Sequence, residues 1–199
     1  MFKIAIILAG GSGSRMGDLT KHTPKPLVKY NGTPLIDYCL KSLPDKIQTY
    51  VTYNMNNHGD QILNYCSDKV SGFINTTGQN NTGFLRHSVF QQLSRHSEVL
   101  VLPADIQFEI DWEELYYYYN QSFSLVPVET QLCPEATGDY LNHEIIDGHS
   151  IIDSNFSSTK KKYMLSGIQI INVGRYYHIN GDSFKDVWQT YHPQLTRIM

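Results

Sequence analysis

Three segments of the chain carry groups suited to chemistry on phosphates. The first is Leu8-Ala9-Gly10-Gly11-Ser12-Gly13-Ser14-Arg15-Met16. Glycines let backbone amides approach an anion closely, successive N–H groups form an anion nest, and Arg15 adds a forked donor. Three common glycine-loop patterns do not match it. The P-loop requires a Gly-Lys pair that is missing, the dinucleotide pattern G-x-G-x-x-G breaks at Met16, and the nucleophile elbow G-x-S-x-G breaks at Ser14. The second segment, Thr23-Pro24-Lys25-Pro26-Leu27, sets a lysine between two prolines. The prolines are expected to hold an extended, stiff backbone that presents the ammonium to a polyphosphate. The third, Val101-Leu102-Pro103-Ala104-Asp105, ends an apolar run in a single carboxylate. Mg²⁺ is usually held by one or two carboxylates together with phosphate oxygens and water. Asp105 suits that role, since Asp111 is the better cap for the helix that follows.

These segments need a scaffold that brings them together. Residues 3–8 form a β-branched apolar run, as in a buried parallel strand. Residues 34–43 place Leu35, Ile36, Cys39, Leu40 and Leu43 on one helical face. Strands are expected over 47–53, 70–75 and 99–102, alternating with helices over 60–66 and 85–93. That order predicts an α/β fold with a mainly parallel sheet flanked by helices. In such sheets ligands sit beyond the carboxyl ends of the strands, which gathers the residues after Leu8, Asn75 and Leu102 around one crevice. The second half is expected to be more antiparallel. It has short strands near 124–128, 140–146 and 150–153, an Asp147-Gly148 turn, a strand over 167–173 and a helix over 182–191. The tyrosine run at 116–119 continues a helical stretch from Trp112, with its hydroxyls reaching solvent.

The whole-chain properties narrow the function further. At 199 residues one domain is expected, divided into an NTP-binding half over 1–110 and an acceptor-binding half over 111–199. Sixteen Lys plus Arg against nineteen Asp plus Glu leave a charge of −3, which speaks against a general nucleic-acid partner. Three widely spaced cysteines, Cys39, Cys66 and Cys133, imply free thiols rather than a disulfide framework or zinc site. The apolar start is too short for a membrane span and lacks a signal-peptide layout, so a cytoplasmic location is the expectation. The aromatic content is compatible with a homo-oligomer but locates no interface.

The glycine loop and the Lys25 segment together resemble the nucleotidyltransferases that activate sugar phosphates. Their signature is similar to L-A-G-G-x-G-[ST]-R-[LM] followed by P-K-P-L, and both parts occur here, with Gly32-Thr33-Pro34-Leu35-Ile36 opening the next helix. The resemblance covers residues 1–110 well and 120–190 loosely. It implies a Rossmann-like nucleotidyltransferase fold in which Leu8, Ala9, Gly10, Gly11, Ser12, Gly13, Ser14 and Arg15 hold the triphosphate and Lys25 lies on the phosphates. It makes Asp105 the metal carboxylate for Mg²⁺. The loop Thr76-Thr77-Gly78-Gln79-Asn80-Asn81-Thr82-Gly83 would read the base and the sugar, with Gln79, Asn80 and Gly83 as contacts. Its Asn-Asn pair looks closer to the choline-phosphate cytidylyltransferase branch, and turn chemistry alone would also favour such residues. Gly138 and Gly167 resemble the acceptor-site glycines. Relatives carry a second metal-binding Asp beyond a late helix similar to residues 183–188, and Asp182 is the expected substitute here.

The resemblance implies an enzyme that moves a nucleotidyl group from an NTP to a sugar-1-phosphate, releasing pyrophosphate and making an NDP-sugar for glycan or cell-surface biosynthesis. Alternatives are a cytidylyltransferase acting on phosphocholine or another non-sugar phosphomonoester, and an NTP-binding module without turnover. A glycosyltransferase would want a D-x-D at the fourth strand, where the chain has Asp105-Ile106-Gln107.

Overall fold

The computed structural model describes residues 2–106, 110–118, 124–129, 140–141, 163–176 and 194–195. Its first strand, β1 (Ile4–Leu8), has apolar side chains on both faces and runs through the middle of the sheet. The chain continues through β2 (Lys29–Tyr30), β3 (Thr33–Pro34), α1 (Leu35–Lys41), β4 (Gln48–Tyr53), α2 (Gly59–Cys66), β5 (Gly72–Asn75), α3 (Ser88–Gln91) and β6 (Glu98–Pro103). After these come α4 (Trp112–Tyr118), β7 (Ser124–Glu129), β8 (Tyr140–Leu141), β9 (Tyr163–Asn172), α5 (Val173–Tyr176) and β10 (Gln194–Leu195).

The main sheet has eight strands in the order β10-β7-β9-β6-β1-β4-β5, with β8 also on β9, while β2 and β3 form a separate antiparallel pair. Strands β5, β4, β1 and β6 are mutually parallel, as the alternation of strand and helix predicts. The antiparallel character of the second half comes from β9, which opposes β6, β7 and β8. The fold is therefore the expected mixed, mainly parallel sheet flanked by helices.

Two apolar layers cover the two faces, and the period of two along each strand sorts residues between them. Ile4, Ile6, Val99 and Val101 pack on one side with Phe84, Phe90 and Tyr176. Ala5, Ile7, Leu100 and Leu102 pack on the other with Ile36, Cys39, Ile62 and Leu115. Polar contacts tie the helices of this second layer together. Trp112 Nε1 donates to the Ser42 carbonyl at 2.7 Å, docking α4 beside α1. Asp37 on α1 accepts from Tyr65 on α2 at 2.6 Å and from Lys69 at 3.1 Å. Asp111 caps α4 as expected, its Oδ1 accepting from the Glu113 amide at 2.9 Å. Tyr116 is exposed, with its ring edge-on to Phe2.

One element differs from the sequence reading. The helix expected over 85–93 is broken into a 3₁₀ turn, Gly83–Arg86, and the short α3. His87 is extended between them, and its Nδ1 accepts from the Val89 amide at 3.2 Å. A local side-chain acceptor thus starts a new helix where apolar periodicity suggested continuity. The expected strand over 150–153, the Asp147-Gly148 turn and the helix over 182–191 lie outside the described residues.

Gly167 sits in β9, close to Pro103 at the end of β6, with φ +81°. A Cβ there would stand 2.9 Å from Pro103 Cγ. The register between β7 and β9 shifts nearby, so the strand bends where only glycine is unstrained. Gly167→Ala is therefore expected to cost about 1–2 kcal/mol from the left-handed backbone, with the Pro103 contact adding to it. Urea unfolding checks this; an unchanged midpoint would contradict the geometry.

Candidate active site

The parallel strands β6, β1, β4 and β5 end along one edge of the sheet, and the segments following β1, β5 and β6 help enclose a cleft of about 560 Å³. Its size lies within the range of small-molecule sites. The walls include Leu8 through Met16, then Lys25 and Pro26, Thr52, Thr76, Gln79 through Asn81, and Pro103 through Asp105. Arg15, Lys25 and Asp105, spread over ninety residues of sequence, thus face one space.

The glycine loop is held at its root. The Ala9 amide donates to Thr52 Oγ1 at 2.9 Å, a buried bond from β1 to β4. Gly10 packs against the Thr76 side chain; a Cβ would lie 2.8 Å from Thr76 Oγ1. Gly13 turns the chain with φ +64°, and its carbonyl accepts from the Met16 amide at 2.8 Å and from Thr20 Oγ1 at 3.0 Å. A Cβ on Gly13 would meet both Thr20 and Lys25, so this glycine lets the 3₁₀ segment Ser14–Thr20 fold against the Lys25 turn. Among the described residues, no protein acceptor takes the Gly11, Ser12 or Gly13 amide. These donors remain available to an anion.

The Lys25 backbone is not extended as expected. Only Pro24 is extended, at φ −62° and ψ 142°, and Lys25–Leu27 then forms a 3₁₀ turn. The Leu27 amide donates to the Pro24 carbonyl at 2.9 Å and the Val28 amide to the Lys25 carbonyl at 3.1 Å. The steric preference before proline is overridden because the turn seats Lys25 beside Gly13 and aims its ammonium across the cleft. There Lys25 Nζ forms an ion pair with Asp105 Oδ2, the side chains being 37% and 25% exposed. Sequence reading had assigned these two groups to different ligands, and the structure pairs them with each other.

Gln79 and Asn80 line the cleft as expected, and Asn81 joins them. Gly83 is buried behind that wall, where the Gln79 side chain occupies the place a Cβ would take. Gly167 lies beside Pro103, next to the cleft's floor. Gly138 and Asp182 lie outside the described residues. Thr76 opens the loop expected to read the base, whereas neither Thr52 nor Asn57 stands out in the sequence; Thr52 simply falls within the strand expected over 47–53.

Asp105 is the one carboxylate among the described residues that line the cleft. No group of three or more His, Cys, Asp or Glu that could hold a metal occurs among the described residues. A single hard oxygen ligand suits Mg²⁺ that takes its other ligands from phosphates and water, and does not suit an all-protein cage. Among the described residues, no helix is long and apolar enough to cross a membrane.

Residues 5–116, more than half the chain, match the MobA-like NTP transferase domain. The chain belongs to this family. One relative, a 2-aminoethylphosphonate cytidylyltransferase of Lancefieldella rimae, is 56% identical over 39 residues, covering 20% of this chain and 16% of the relative. Another, a glucose-1-phosphate adenylyltransferase of Clostridioides difficile, is 26% identical over 141 residues, covering 61% of this chain and 36% of the relative. The chain thus spans well under half the length of these two curated relatives. Among solved structures, HddC from Yersinia pseudotuberculosis complexed with GMP-PN superposes with a TM-score of 0.73 at 19% identity, covering 99% of this chain and 89% of that one. That likeness supports the nucleotidyltransferase fold of this MobA-like chain.

Behind the cleft, Cys39 on α1 is fully buried. Burial, and secondarily the Asp105 charge, push its thiol up to about 12. Burial likewise raises the Cys66 thiol to about 11, against a smaller lowering by Lys69. Both are free cysteines, as expected, while Cys133 lies outside the described residues. Both should stay protonated and unreactive at pH 8. In a Cys133→Ser variant, a thiol reagent at pH 8 should label neither cysteine until denaturant is added. Rapid labelling of the native protein would contradict this burial.

Proposed function

We propose that this protein transfers a nucleotidyl group from an NTP to a phosphomonoester, first of all a sugar-1-phosphate, with release of pyrophosphate. The observation that carries the reading is the convergence of free loop amides, Arg15, Lys25 and one carboxylate on a single cleft. The acceptor phosphate is already ionised at pH 7, so it can attack the α-phosphorus in line without a strong general base. What the reaction needs is positioning and charge neutralisation.

The Gly11, Ser12 and Gly13 amides would bind phosphate oxygens, and Arg15 would clamp them with its fork. Lys25 would leave Asp105 for the phosphates, freeing the carboxylate to hold Mg²⁺. That ion, when bound, supplies further neutralisation of the phosphate charge. Gln79 and Asn80 would pair with the edge of the base. Gly138, Gly167 and the remainder of residues 111–199 would receive the acceptor, with Asp182 as a second metal ligand. The product would be an NDP-sugar serving glycan biosynthesis, made in the cytoplasm, and a homo-oligomer is compatible with the reading.

A second reading is cytidylyl transfer to phosphocholine or a related non-sugar acceptor. It is favoured by the Gln79-Asn80-Asn81 wall of the cleft and by the short, close match to a 2-aminoethylphosphonate cytidylyltransferase.

The test is pyrophosphate release with Mg²⁺ across four NTPs and a panel of sugar-1-phosphates, phosphocholine and 2-aminoethylphosphonate. One pair should turn over, and Lys25→Ala and Asp105→Ala should each lose on the order of 100-fold or more in kcat/KM. CTP with an amino-alcohol phosphate or a phosphonate as the productive pair would favour the second reading. Nucleotide binding with no turnover across the panel would favour a module without catalysis and overturn the first.

A further inference from the structure

Resting on the NTP-binding reading, we infer that residues 54–61 brace the glycine loop for the triphosphate, and that Asn57 is the positioning residue of that brace. Asn57 lines no part of the cleft and had no role in the proposed chemistry. Its Nδ2 nevertheless donates to the Gly10 carbonyl at 2.8 Å, across 47 residues of sequence.

The consequence follows from peptide geometry. In a trans peptide unit the carbonyl and the next amide point in opposite directions. Fixing the Gly10 carbonyl toward Asn57 therefore turns the Gly11 N–H away from Asn57, and of these two residues Gly11 lines the cleft. A run of glycines has little preference of its own between the two orientations of such a peptide. Thr52 fixes the Leu8–Ala9 unit, two peptide units earlier, by accepting from the Ala9 amide, so the two contacts bracket the root of the anion nest.

Asn57 is itself held for this task. Its amide donates to the Asn54 carbonyl at 2.9 Å, while Asn54 Oδ1 caps the Asn56 amide at 2.9 Å. Local turn chemistry is thus supplied by Asn54, which leaves the Asn57 carboxamide free to reach across. The same stretch, running into the first turn of α2, also reaches segments that flank the cleft walls. The Met55 amide donates to Thr77 Oγ1 at 3.0 Å in the base-reading loop. His58 Nε2 lies 3.1 Å from the Lys21 carbonyl, and Gln61 Nε2 donates to the His22 carbonyl at 2.9 Å. Three segments around the cleft are therefore referenced to one short connection between β4 and α2.

The experiment compares calorimetric binding of the NTP found for the wild type, inorganic pyrophosphate and the matching nucleoside. The proteins are wild type, Asn57→Ala and the space-filling Asn57→Leu, neither of which changes charge. Loss of the bond should weaken NTP and pyrophosphate about tenfold and leave nucleoside binding unchanged. A purely structural role would lower the melting temperature and the binding-competent fraction while leaving all three dissociation constants alone; that result overturns the inference. Equal weakening of nucleoside and NTP would also overturn it, since the effect would not be on the phosphate loop. If Asn57→Ala does not fold, Asn57→Leu decides by the same ratios. A wild-type protein that binds no nucleotide would instead remove the NTP reading beneath it.

Discussion

Strand β1 is apolar on both faces, so it is stable only where water reaches neither. Flanked by β4 and β6 and covered by both apolar layers, it meets that condition. Everything at the cleft is indexed to it. The glycine loop leaves its carboxyl end, and parallel neighbours deliver their own loops to the same edge because parallel strands end together. An antiparallel neighbour at those positions would have sent its outgoing loop to the far side. The functional edge is thus a consequence of how the central strands are buried.

Within that edge the balance of charge is set by Lys25 and Asp105. Both side chains are partly exposed, so their pairing adds little to stability. Its effect is on what the empty cleft presents. With the two charges joined, Arg15 is the unpaired cation of the assembled set, and the carboxylate does not repel an incoming polyphosphate. In the proposed reaction, an NTP arriving with its counter-ion would bring both charges needed to exchange partners with the pair.

Much of this was legible in the chain itself. Strands with continuous apolar runs and helices with clear periodicity occur where they were expected, because burial on two faces or on one stripe leaves a strong pattern. The glycine loop, Lys25 and Asp105 announced themselves through unusual local composition. What escaped were relations at long range. The partnership of Lys25 with Asp105 joins residues eighty apart, and that of Asn57 with Gly10 joins residues forty-seven apart. Neither leaves a local signature. The turn at Lys25 was misjudged because a dipeptide preference was weighed without its packing against Gly13, and the break at His87 because its ring acts as a cap. Gly138 and Asp182 stand outside the described residues.

Strand β9 has a consequence for the order in which the molecule is assembled. Among the described residues, it is the one strand that links β6 to β7, β8 and β10. On a ribosome, residues through β6 emerge well before residues 163–172, and β1, β4, β5 and β6 already contain all their parallel partners. Until β9 arrives, β6 offers an open row of amides and carbonyls with strongly apolar side chains, the kind of edge that pairs with other chains. The nascent protein must therefore pass through an interval in which its parallel half is organised but its sheet is unsealed. During that interval, slower synthesis lengthens the time for which this edge is open to pairing with other chains.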